Sequence, residues 1–82
     1  MEKRLGFVGI VVENRKIAAP KINEVLSMYG EKIIGRMGIP YKERHCNVIA
    51  LIVEMSTDEL GALTGTLGTI EGVTVKSALT KN

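Results

Sequence analysis

His45 and Cys46 are neighbours, and they are the one histidine and the one cysteine of the 82-residue chain. An imidazole nitrogen and a thiolate sulfur are the donor types that hold zinc or nickel, but a closed site takes about four ligands. Successive residues of a strand point to opposite faces, so one chain cannot easily close both side chains on one ion. Two readings stay open. His45 and Cys46 from several subunits could complete a site and make the protein a metal-binding sensor or carrier. Otherwise they are an exposed turn histidine and a half-buried cysteine. The same geometry argues against a thiolate–imidazole nucleophile.

A second chemistry is offered at residues 57 to 65. Ser56 stands three residues before Glu59, the spacing at which a hydroxyl and a carboxylate cap a helix reciprocally. The amides of such an amino terminus, with the helix dipole, favour an anion or carboxylate. Thr57, Asp58, Leu60, Gly61 and Gly65 are the candidate ligand-binding residues there. Gly61, Gly65 and Gly68 form a stripe, and each costs roughly 0.5–1 kcal/mol against alanine inside a helix. Close approach by a ligand or another chain would account for the stripe, and so would helix packing within the chain. Glu59 works against an anion, since its own carboxylate can fill the cap.

These residues hang on a strand–helix unit spanning 45 to 72. Val48 to Val53 is apolar throughout, which predicts a strand with little water on either side. Leu60, Leu63, Leu67 and Ile70 follow at helical spacing, and Gly72 ends the run. Before this unit, residues 5 to 13 read as another strand apolar on both faces. Asn14-Arg15-Lys16 reads as a polar connector, with Pro20 in the first turn of a helix. Ile22, Val25, Leu26 and Tyr29 mark that helix's face, and Gly30 is a left-handed terminator. Residues 32 to 39 form a strand that Gly35 and Gly38 consign to an edge. Residues 40 to 44 turn, and 73 to 79 alternate as the last strand.

The halves repeat at an offset of 41. Residues 8 to 13 match 49 to 54, while Ile22 falls on Leu63, Leu26 on Leu67 and Tyr29 on Ile70. Two strand–helix–strand units in one domain, residues 1–82, give an α+β fold. It is a ferredoxin-like βαββαβ sandwich with a four-stranded antiparallel sheet and two helices on one face. Right-handed crossovers place the first and third strands at the centre. The face without helices then exposes Phe7, Val11, Val48 and Ile52. A contiguous apolar patch of this kind is ordinarily an interface, which points to a homo-oligomer, a dimer or tetramer.

Composition narrows the class. Eleven basic residues are scattered among nine acidic ones for a net charge of +2, with no block that would mark a nucleic-acid footprint. Aromatic residues make up only 4% of the chain, too few for RNA-stacking strands. The apolar runs are too short to span a bilayer, no signal-type core follows the first residues, and a single cysteine gives no disulfide framework. The expectation is a cytoplasmic protein without membrane or nucleic-acid partners of its own, and with no room for a DNA-binding motif. Acylphosphatase chemistry lacks its glycine cradle after the first strand, and a metal chaperone would show Cys-x-x-Cys there. No convergent acid, base and nucleophile suggests an enzyme, and the residues do not say whether a cofactor is bound or which.

Glu54 to Gly65, Leu67 to Ser77 and Arg36-Met37-Gly38-Ile39-Pro40-Tyr41 resemble the small ACT-like proteins named as regulators of the iron-only hydrogenase system. The likeness covers essentially the whole chain. It implies an ACT-type domain, similar to the ligand-sensing half of nickel-responsive repressors. Together with the apolar face, the expectation is a non-enzymatic, oligomeric regulator that acts through a small-molecule effector or a protein partner at subunit interfaces. The repressors' full His/Cys set is not present here, where only His45 and Cys46 could contribute. The Asp-x-Pro-Gly loop of amino-acid-binding ACT domains is missing after the first strand, and Thr57-Asp58-Glu59-Leu60-Gly61 is its nearest echo. Ligand, partner and regulated target are not specified by these residues.

Overall fold

Strand β1 (Arg4–Val12) opens the fold in a computed structural model that describes residues 2–81. Helix α1 (Arg15–Ser27), strand β2 (Ile33–Tyr41), strand β3 (Cys46–Met55), helix α2 (Thr57–Gly68) and strand β4 (Val73–Leu79) follow. The sheet order is β2-β3-β1-β4, and every neighbouring pair is antiparallel. The expected βαββαβ sandwich is therefore the observed one, with β1 and β3 central and β2 at an edge.

Alternation along the central strands decides where the core lies. Val8, Ile10 and Val12 point to the helices from β1, and Leu51, Val53 and Met55 from β3. On α1 the buried residues are Ala18, Ile22, Val25 and Leu26; on α2 they are Leu60, Leu63 and Leu67. Each large aliphatic side chain removed from water contributes roughly 1.5–3 kcal/mol. The repeated positions are buried together, since Ile22 and Leu63, like Leu26 and Leu67, all belong to this core.

Helix α2 starts as its sequence predicts. The Ser56 hydroxyl accepts from the Glu59 amide at 3.2 Å, and Glu59 Oε1 accepts from the Ser56 amide at 2.9 Å. Gly72 ends the connection with φ +78°, a left-handed conformation that glycine adopts without penalty. Its carbonyl accepts from the Glu13 amide at 2.9 Å, extending the pairing of β1 with β4 by one bond. Gly6 has a different constraint. A Cβ there would lie 2.9 Å from the Ala78 carbonyl oxygen and closer still to the Leu79 side chain.

Several boundaries differ from expectation. Helix α1 begins at Arg15, a full turn early, and Pro20 lies inside it. The reason is Ala18, which is fully buried and whose amide donates to the Asn14 carbonyl at 2.9 Å. That contact closes a helical turn ahead of the proline, and Pro20 itself faces solvent. Gly30 is not a left-handed stop: Met28 caps α1 with right-handed geometry, and Gly30–Lys32 form a 3-10 turn. Strand β2 continues through Pro40 to Tyr41, which an edge strand tolerates because one row of its amides needs no partner. Finally, Val48–Val53 is not dry on both sides within one chain. Ala50 and Ile52 are exposed, because both helices cover the opposite face.

Candidate functional site

The helix-free face of the sheet carries most of the exposed large apolar side chains of the described residues. Strand register lines up its side chains in rows. Phe7 sits opposite Ile52, Val11 opposite Val48, and Ile39 continues the second row on β2. Between these rows lie Gly9 and Ala50, which leave a shallow trough. Leu5, Met37 and Tyr41 extend the patch and are exposed, as are Phe7, Val11, Ile39 and Ile52. The structure thus gathers Phe7, Val11, Val48 and Ile52 on one face, with Val48 more covered than the others. Glu54 and Lys76 lie on the same face, by their pairing with Leu5 and Gly9. Neither is ion-paired among the described residues.

The start of α2 is occupied from within. Glu59 caps Ser56 with one carboxylate oxygen and meets Lys32 Nζ at 3.1 Å with the other. The Ser56 amide, and after it the Lys32 ammonium, hold this carboxyl below its usual range. A negative charge already sits where an anion was expected. Thr57 and Asp58 are exposed beside it, but Leu60 belongs to the core and offers no surface to a ligand. The glycine stripe is also not explained by packing within the chain. Gly61, Gly65 and Gly68 are exposed, and a Cβ on any of them would meet nothing within 4 Å.

His45 is not part of a strand. It ends the 3-10 turn Lys42–Arg44 in the left-handed region, with φ 52°, and lines a shallow groove with Glu13 and the first residues of α1. Cys46 is the first residue of β3, opposite Tyr41 on the helix-free side. The two side chains serve different surfaces. Among the described residues no three His, Cys, Asp or Glu gather into a metal-binding group.

One concavity escaped the sequence reading. A cleft of about 340 Å³ opens between α1 and the overhanging edge of β2. Arg15 and Asn23 line it from α1, Arg36 from β2 and Asn47 from β3. Arg36 Nη2 donates to Asn23 Oδ1 at 2.7 Å across the cleft. The signal was present as the helical spacing of residues 15, 19, 22 and 23. It was hidden because residues 14 to 16 read as a connector. No helix among the described residues is long and apolar enough to cross a membrane.

With this geometry in place, comparison with known proteins is informative. Residues 4–77 match the TM1266-like family model, described as "Iron-only hydrogenase system regulator, putative". The structure of the uncharacterized protein TM1266 from Thermotoga maritima is similar at 41% identity, with TM-score 0.92 over 98% of this chain and 100% of that one. The ACT domain of a GTP pyrophosphokinase from Chlorobium tepidum superposes with TM-score 0.77 at 24% identity, covering 93% of this chain and 99% of that chain. Its solution structure gives TM-score 0.72 at 23% identity, over 100% and 91%. The ACT likeness establishes the fold. No curated protein matches the chain.

Proposed function

The chain belongs to the TM1266-like family of iron-only hydrogenase system regulators, and from that membership we propose a non-enzymatic, ligand-sensing regulatory domain that acts through contacts between copies of itself. The regulatory role rests on the family and on the ACT-type fold. The contact between copies rests on one observation, the continuous apolar face of the sheet around Phe7 and Ile52. Apolar area of this kind contributes about 25 cal/mol per Å² when it is removed from water.

A second copy suits this face better than an unrelated partner. Its two rows of large side chains flank a trough of Gly9 and Ala50, so the ridge of one copy has a place in the hollow of another. Glu54 and Lys76 bring a carboxylate and an ammonium to this face. Under two-fold symmetry each contact occurs twice, so a Glu54–Lys76 pairing between copies would neutralise both charges of both chains. Light scattering on the purified protein at micromolar concentration tests the reading. The expected mass is twice or four times that of the chain. A single-chain mass at every concentration would overturn it.

A further inference from the structure

The cleft between α1 and β2 is built by three independent periodicities that meet. On α1, Arg15, Ala19, Ile22 and Asn23 recur at helical spacing and turn one stripe toward the sheet edge. On β2, Arg36, Gly38 and Pro40 alternate onto the helix side, beyond the area the helices cover. On β3, their register partners Asn47 and Ile49 supply the floor between them. The result has an apolar base, two carboxamides and two guanidinium groups.

Charge in the cleft is unbalanced. Among the described residues no carboxylate lines it, and neither Arg15 nor Arg36 is ion-paired. Arg36 is held in place by the carboxamide oxygen of Asn23, which fixes the guanidinium without neutralising it. Gly38 leaves the wall open, since a Cβ there would meet nothing within 4 Å. A planar guanidinium fork matches a carboxylate or phosphate group in two-pronged fashion. The volume of about 340 Å³ lies at the small end of the range for small-molecule sites.

We infer that this cleft binds a small organic anion, its carboxylate or phosphate group on the Arg36 guanidinium, with Arg15 adding positive charge from the start of α1, and its apolar body on the floor of Ile22 and Ile49. Asn23 positions Arg36, and Asn47 offers both a donor and an acceptor to polar groups on the ligand. The site is complete within one chain, so binding does not require assembly. It gives chemical content to the ligand-sensing part of the proposed function and rests on that reading only for its regulatory meaning. The amino terminus of α2, already filled by Glu59, is not involved.

The test is a titration of the ¹⁵N-labelled protein, followed by its amide spectrum at constant ionic strength. Benzoate and phenyl phosphate are the anionic probes, and benzamide is the neutral control. Saturable shifts confined to residues 15–23, 36–40 and 47–49 are expected for at least one anion, and whichever binds tighter distinguishes carboxylate from phosphate. Benzamide should bind at least about ten-fold more weakly, as should either anion to Arg36→Gln, since a charge-assisted bond is lost. Gly38→Val, which places two methyl groups in the cleft, should block binding while the spectrum stays folded. The inference is overturned by an absence of saturable shifts with both anions at millimolar concentration. Equal binding by Arg36→Gln, or shifts centred on residues 56–60, would overturn it too. The mass of the protein, read separately, bears only on contacts between copies.

Discussion

Phe7 and Ile52 are register partners on adjacent central strands, and both are open to solvent, at 57% and 47% exposure. They lie back to back with the core. Their chain neighbours Val8, Leu51 and Val53 are almost wholly buried against the helices. Two helices cannot cover both faces of a four-stranded sheet, so an apolar pair at its centre needs cover from elsewhere. The proposed assembly rests on this relationship.

Ser56→Ala removes the hydroxyl that accepts from the Glu59 amide and should destabilise the domain by about 1 kcal/mol. Urea denaturation with an unchanged midpoint would contradict the capping role.

Glu59 also sets a pH dependence. Its carboxyl is held low in the folded chain, first by the Ser56 amide and then by Lys32. The folded state therefore binds this proton less readily than the unfolded one does. The resulting stability is fully present above the unfolded value, near 4.5. It is lost as pH falls through the lower folded value. Denaturation midpoints of the parent and Glu59→Gln should differ most near neutral pH and converge in acid. A gap between the two that stays constant down to the acid limit would contradict the assignment.

Pro20 lies in the interior of α1 on its solvent side, where it cannot donate to the carbonyl four residues earlier. Pro20→Ala should restore that bond and raise stability by about 1–2 kcal/mol, the helical gain less the looser unfolded chain. Thermal melting that shows a loss instead would mean that the first turn of α1 depends on the proline's fixed geometry.

Glycines make a matched contrast. Gly6→Ala brings a methyl group against the Ala78 carbonyl and the Leu79 side chain and should cost about 1–3 kcal/mol. Gly61→Ala meets open space on an exposed helix face and should gain roughly 0.5–1 kcal/mol. Denaturation curves check both, and a loss for Gly61→Ala would show that the stripe is packed against something in solution.

Much of the fold is legible in the residues alone. The repeat at 41 residues, the alternation in β1 and the spacing of Leu60, Leu63 and Leu67 specify two units packed on one sheet. The Ser56–Glu59 cap is equally plain, because a hydroxyl three residues before a carboxylate, at the head of an apolar helical run, has the spacing of a reciprocal cap. The first turn of α1 is not legible. Asn14, Arg15 and Lys16 are polar, and Pro20 imitates a helix start, whereas the burial of Ala18 that extends the helix is a tertiary effect. With that turn goes the cleft, because Arg15 and Arg36 line one concavity only once β2 lies beside the whole length of α1. The strand Val48–Val53 misleads differently. An apolar run looks the same whether protein covers both faces or one face awaits another chain.

Sedimentation equilibrium on the parent protein and on Ile52→Glu tests the central claim most directly. The substitution puts a charge at the middle of the apolar face, at a side chain that lies outside the buried core. The parent should sediment as a dimer or tetramer at micromolar concentration, and the variant as a folded single chain with an unchanged circular dichroism spectrum. A parent that is a single chain at every concentration, or a variant that assembles as the parent does, would contradict the account.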